Sequence, residues 1–123
     1  MKTLSTLFTA VLVLMVSMNL SGQESKPGYV LIKFNEPAPQ NLEKFKQYAK
    51  LAGAAGKEFG AKTLSAGKAP EIIEGMGDDN KFVLLEFPSK AHAKNWYSSE
   101  NYSLAKKHRA GIVDLTIILL EGR

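Results

Sequence analysis

The sequence predicts an α+β domain, a four-stranded antiparallel sheet with two helices on one face. Three observations carry this. The runs YVLIKF at Tyr29 to Phe34, KFVLLEF at Lys81 to Phe87 and DLTIILLE at Asp114 to Glu121 are short, apolar and bounded by breaks, so they read as strands. Apolar residues recur at helical spacing between the first and second of these runs, and again after the Pro88-Ser89 stop. Glycine and Asp-Asp-Asn at Gly75 to Asn80 form a turn that returns the chain along the middle run as a hairpin.

Taken in order, the chain of 123 residues opens with a segment that is set apart from this domain. Lys2 supplies a charge, Leu7 to Leu20 is apolar apart from Thr9, Ser17 and Asn19, and Ser21-Gly22 are small. That is the order of a secretory signal peptide, expected over residues 1–22 with a cut near Gly22/Gln23. A retained N-terminal anchor is the alternative. The run is shorter than the roughly 20 apolar residues that span a bilayer, so the expected product is exported, periplasmic or secreted, and free of the membrane once cleaved. Residues 23–28 are a polar, flexible leader, and the domain is expected over residues 29–123.

The first strand, Tyr29 to Phe34, is closed by Asn35-Glu36-Pro37-Ala38-Pro39. Asn41 is placed to cap a helix from about Leu42 to Phe59, whose inner stripe holds Leu42, Phe45, Ala49, Ala52 and Phe59. Gly53 and Gly56 weaken its second half and read as a loosely wound last turn ending at Gly60; close approach to the sheet or a small pocket is the other reading. A second strand is expected at Ala61 to Ser65, interrupted around Gly67 and Pro70 by a bulge or bend and resumed at Glu71 to Glu74. Ser89 caps the next helix, in which Ala93, Trp96 and Tyr97 share the inner face. After a break at Ser98 to Asn101, Tyr102, Ala105 and Arg109 continue as a second helical piece until Gly111, and the last strand follows.

This order is a doubled βαβ unit, and right-handed crossovers close it into a ferredoxin-like sheet. Two helices cover one face only, yet the first and last strands are apolar on both. Antiparallel sheets open to water normally alternate, so the helix-free face is expected to pack on a second copy as a homodimer.

Composition narrows the function. The formal net charge is +4 and the lysines are scattered without interleaved aromatics, which is a solvated surface and no nucleic-acid footprint. Cysteine is absent, excluding disulfides, thiol catalysis and zinc-thiolate sites. His92 and His108 lack i, i+4 spacing, so no metal site is expected, and no cofactor-binding motif is present.

The residues YVLIKF, Gly60, Gly67, EIIEG at Glu71 to Gly75, VLLEFPS at Val83 to Ser89, Ala93, Trp96-Tyr97, Ser99, Tyr102, Arg109 and LLEG at Leu119 to Gly122 form a series. It resembles the family called domain of unknown function 1330. The resemblance implies a dimeric α/β barrel, whose wider superfamily includes cofactor-independent monooxygenases, isomerases and haem-using enzymes with clefts between sheet and helices. His92 stands where relatives often carry alanine, and the turn at Gly77 to Asn80 lacks the aromatic residue often seen there.

Trp96, Tyr97, Tyr102 and Arg109 are the candidate ligand-binding residues. An arginine after a helical tyrosine suits bidentate capture of a carboxylate or phosphate, although a structural pair with Glu74 or Glu86 would use the same group. Arg109, His92, Glu74 and Glu86 are the weak catalytic candidates. The reading is a small-molecule-binding dimer, with a cofactor-independent oxygenase or isomerase and a purely structural or protein-binding dimer as alternatives.

Overall fold

The computed structural model describes residues 25–123. The segment expected to be a signal peptide, residues 1–22, lies outside the described residues. From the first strand onward the elements are β1 (Gly28–Phe34), a single 3-10 turn (Pro39–Asn41), α1 (Leu42–Glu58), β2 (Lys62–Lys68), β3 (Lys81–Phe87), α2 (Lys90–Ser98), α3 (Glu100–Lys106) and β4 (Leu115–Glu121). They form one antiparallel sheet of order β2-β3-β1-β4, the ferredoxin-like arrangement.

Register explains which residues meet. Val30 stands between Leu85 and Leu119, and Ile32 between Val83 and Ile117. These residues, with Phe34 and Phe87, make the helix-side face, on which Tyr48, Ala52, Ala55, Ala93, Trp96, Tyr102 and Ala105 pack. Leu31 stands between Leu84 and Ile118 on the other face, where no helix lies.

The helix ends follow from local chemistry. α1 runs unbroken through Gly53 and Gly56, so the expected loosening is not there. It closes at Gly60, whose φ of +84° suits a residue without Cβ, while the Ala61 N–H donates to Gly56 O and the Gly60 N–H to Lys57 O. Asn41 holds the N-cap position of α1 but its side chain makes no cap bond: with φ −104° and ψ 0° its backbone continues the 3-10 turn and lacks the extended conformation that aims a cap side chain at the first-turn N–H groups. Ser89 caps α2 by accepting from His92 N at 3.1 Å. Ser99 joins α2 to α3, accepting from Tyr102 N at 3.1 Å and donating to Trp96 O at 2.7 Å.

The second strand differs from expectation. β2 keeps pairing to Lys68 through two register shifts, which is the anticipated bulge, but Glu71 to Glu74 do not resume it. Gly67 has φ +64°, and Pro70 carries no N–H for a ladder bond, so the chain leaves the sheet edge there. Glu74 therefore sits in an exposed connection and not on the hairpin.

Candidate functional site

α1 packs chiefly against α3, so its inner face does not close on β2, every residue of which but Gly67 is exposed. Two bonds fix this placement. Trp96 Nε1 donates to Ala52 O at 3.2 Å, and the Tyr48 and Tyr102 hydroxyls lie 2.9 Å apart. The resulting gap between α1 and the sheet is a cleft of about 780 Å³.

One wall is the small-residue stripe Ala49, Ala52, Gly53 and Gly56 of α1; the floor is Ile32, Phe34, Val83 and Leu85; Trp96 closes the inner end. A Cβ on Gly53 would meet nothing within 4 Å, which means that this position faces open space. A Cβ on Gly56 would sit 3.6 Å from Trp96 Nε1. Volume and apolar lining match those of small-molecule sites. The charged lining residues are Glu36, Lys46, Lys57, Lys62 and Lys81, a basic mouth in which Lys81 pairs with Glu36 at 3.3 Å.

The polar atoms deep in this site are spoken for. Tyr48 keeps its proton: burial, then the adjacent Tyr102 oxygen, push its phenol far above the ordinary value, with Arg109 only partly opposing this. Trp96 Nε1 is bonded to the main chain as described. The cleft thus offers an apolar surface and a cationic rim, which is a binding arrangement.

The sequence candidates divide between places. Trp96, Tyr97 and Arg109 line a smaller cavity of about 500 Å³ on the other flank, between α2 and β4. Tyr102 lies beneath them, fully buried, with its ring centroid 4.6 Å from that of Trp96. Arg109 stacks on Tyr48, its Cζ 5.2 Å from the ring centroid, and forms no ion pair with Glu74, Glu86 or any other carboxylate among the described residues.

His92, Glu74 and Glu86 border neither of these cavities. His92 is exposed and bonds Ser89 Oγ through Nδ1 at 2.7 Å, which makes it part of the α2 cap. Glu86 belongs to the helix-free face beside Tyr29, whose phenol it holds above its ordinary value by hydrogen bonding. Among the described residues no three His, Asp or Glu gather as metal ligands.

The Gly53 and Gly56 stripe, read from the sequence first as a loose last turn and second as a small pocket, lines the cleft. Its i, i+3 spacing on a helix otherwise rich in good helix formers was the available signal for a face kept clear.

An antiparallel sheet of order β2-β3-β1-β4 with its helices on one face and a cleft beneath them defines the class of ferredoxin-like α+β folds. Within it, the chain belongs to the family described as domain of unknown function 1330, whose model matches residues 27–123. No curated protein matches the chain.

Among solved structures, it is similar to the RPA0582 protein of unknown function from Rhodopseudomonas palustris, at 22% identity and TM-score 0.62, with 89% of this chain and 92% of that one covered. It is also similar to SnoaB, a cofactor-independent oxygenase from Streptomyces nogalater, at 10% identity and TM-score 0.51, covering 80% of this chain and 95% of that one. A dimeric protein of unknown function and ferredoxin-like fold from Bacteroides fragilis matches at 11% identity and TM-score 0.50, covering 76% and 95%. These likenesses speak to the fold.

Proposed function

We propose that this protein is an exported homodimer that binds an apolar small molecule in the cleft between α1 and the sheet. The cleft itself carries the reading: a cavity of about 780 Å³ whose walls are alanine, glycine and branched aliphatic residues, kept open by a helix that leans away from β2. Its lysine mouth favours a ligand with an acceptor or acidic group at the solvent end. The apolar run Leu7 to Leu20 motivates export, and mass spectrometry of the mature N-terminus should find Gln23 or a neighbour first. A full-length mature chain would overturn that part alone.

The likeness to a cofactor-independent oxygenase supports a catalytic alternative only at the level of the fold. Arg109, His92, Glu74 and Glu86 occupy separate places, so the binding reading has the better support.

The test uses Nile red and a panel of hydroxylated aromatic compounds, read by dye emission and Trp96 fluorescence. Binding should be saturable, and Gly53→Leu, whose side chain enters open space, should abolish it while the fold persists. Unchanged affinity in that variant would sink the assignment. Oxygen consumption with any compound of the panel would favour the alternative.

A further inference from the structure

The cavity on the α2 and β4 flank is distinct from the large cleft, and the two share only Trp96 and Leu115 as lining residues. Its floor is the apolar row Val30, Leu115, Ile117 and Leu119, and its wall is the exposed edge of Tyr97. Arg109 is its half-buried cation, and Arg109 Nε is buried with no hydrogen-bond partner.

The arginine is also held still. Its face lies on the Tyr48 ring, its N–H donates to Lys106 O at 3.1 Å, and its carbonyl accepts from Ile112 N at 3.0 Å and Val113 N at 3.3 Å. No acidic residue lines the cavity, and Lys94 adds a second positive charge at its edge. A guanidinium steadied by the Tyr48 and Tyr102 phenols and without a carboxylate partner among the described residues, above an apolar floor, suits a planar anion carrying an apolar body.

We infer that Arg109 anchors a second binding site, distinct from the cleft under α1, whose ligand is a small carboxylic acid with an aromatic or branched aliphatic body. The carboxylate is taken by the terminal amino groups of the guanidinium on the cavity side, because Nε itself is buried and out of a ligand's reach. The body rests on Ile117 and Leu119 against Tyr97. A phosphate lacks the apolar body and leaves that floor wet.

Phenylacetate and its uncharged analogue phenylacetamide test this by calorimetry and by the ¹⁵N resonance of Arg109 Nε. Phenylacetate should bind and shift that resonance in the unmodified protein, whereas phenylacetamide and inorganic phosphate should not. Arg109→Gln should weaken phenylacetate binding by about tenfold or more, and Arg109→Lys, which keeps the charge but not the fork, should weaken it as well. Gly53→Leu should leave phenylacetate binding intact while removing Nile red binding, which separates the two sites. The inference is overturned if phenylacetate leaves the Nε resonance unmoved, if phenylacetamide binds equally well, or if Gly53→Leu rather than Arg109→Gln abolishes the binding. The resonance test needs no substitution, so it decides the matter even if the arginine variants fail to fold.

Discussion

Tyr48 and Tyr102 share one buried hydrogen bond, 2.9 Å long, with the Arg109 guanidinium beside both hydroxyls. Tyr48→Phe leaves the Tyr102 oxygen short of that partner, so it should cost about 1–3 kcal/mol in urea unfolding. Adding Tyr102→Phe should cost less than the two single changes summed, because the second phenol then has nothing to lose; strict additivity would show that the bond is not formed in solution. The pair also predicts alkaline behaviour. The folded Tyr48 pKa is raised above the unfolded value of 10.0, so this group leaves stability unchanged below about pH 10. Above it, the unfolded chain releases the phenolic proton while the folded chain keeps it, and stability falls with a slope of up to about 1.4 kcal/mol per pH unit. Tyr48→Phe should show a shallower alkaline decline; equal slopes would refute the assignment. Trp96 as a core residue was legible from its helical spacing with Ala93. The stacking of Arg109 on Tyr48 was not, because it joins α1 to the turn after α3 across a distance in sequence that periodicity does not span.

The elements were legible where local chemistry decides them. Pro88-Ser89 starts α2, and the break around Ser99 divides the helical region as expected. Ser99 serves both sides of that break through its bonds to Tyr102 N and Trp96 O, so Ser99→Ala should cost about 1–2 kcal/mol. Ser99→Asp, which preserves the acceptor, should recover part of the loss; denaturant midpoints measure both. The α1 glycines were misread because propensity treats Gly as a weak point, whereas packing and the close at Gly60 hold the helix to Glu58. Gly53→Ala should accordingly raise stability by about 1 kcal/mol, since its Cβ meets no neighbour and the helix gains propensity. A lowered melting temperature would contradict the cleft geometry. The strand expected at Glu71 to Glu74 failed for the opposite reason: Ile72 and Ile73 have strand propensity, but Pro70 and the turn at Gly67 deny the segment a partner.

At the scale of the whole molecule, the helix-free face is apolar where a solvated sheet would not be. Leu31, Leu84 and Ile118 form a continuous row across β3, β1 and β4, and Ile118 and Leu120 are 39% and 50% exposed in the single chain. Large aliphatic side chains left wet each forgo roughly 1.5–3 kcal/mol of burial. This was readable from the strands alone, because two faces of one strand cannot both meet the same helices; the cleft was not, because it depends on how α1 leans. The cover proposed for this face is a second copy of the chain. The mature protein should therefore sediment as a dimer at micromolar concentration. Ile118→Lys combined with Leu120→Lys places two charges where the partner would sit, at positions the lone protomer leaves open to water. The pair should yield a folded monomer with unchanged Arg109 chemistry, since that residue packs on the opposite side of the sheet. A monomeric wild type, or a double variant that stays dimeric, would remove the sheet-to-sheet interface from consideration.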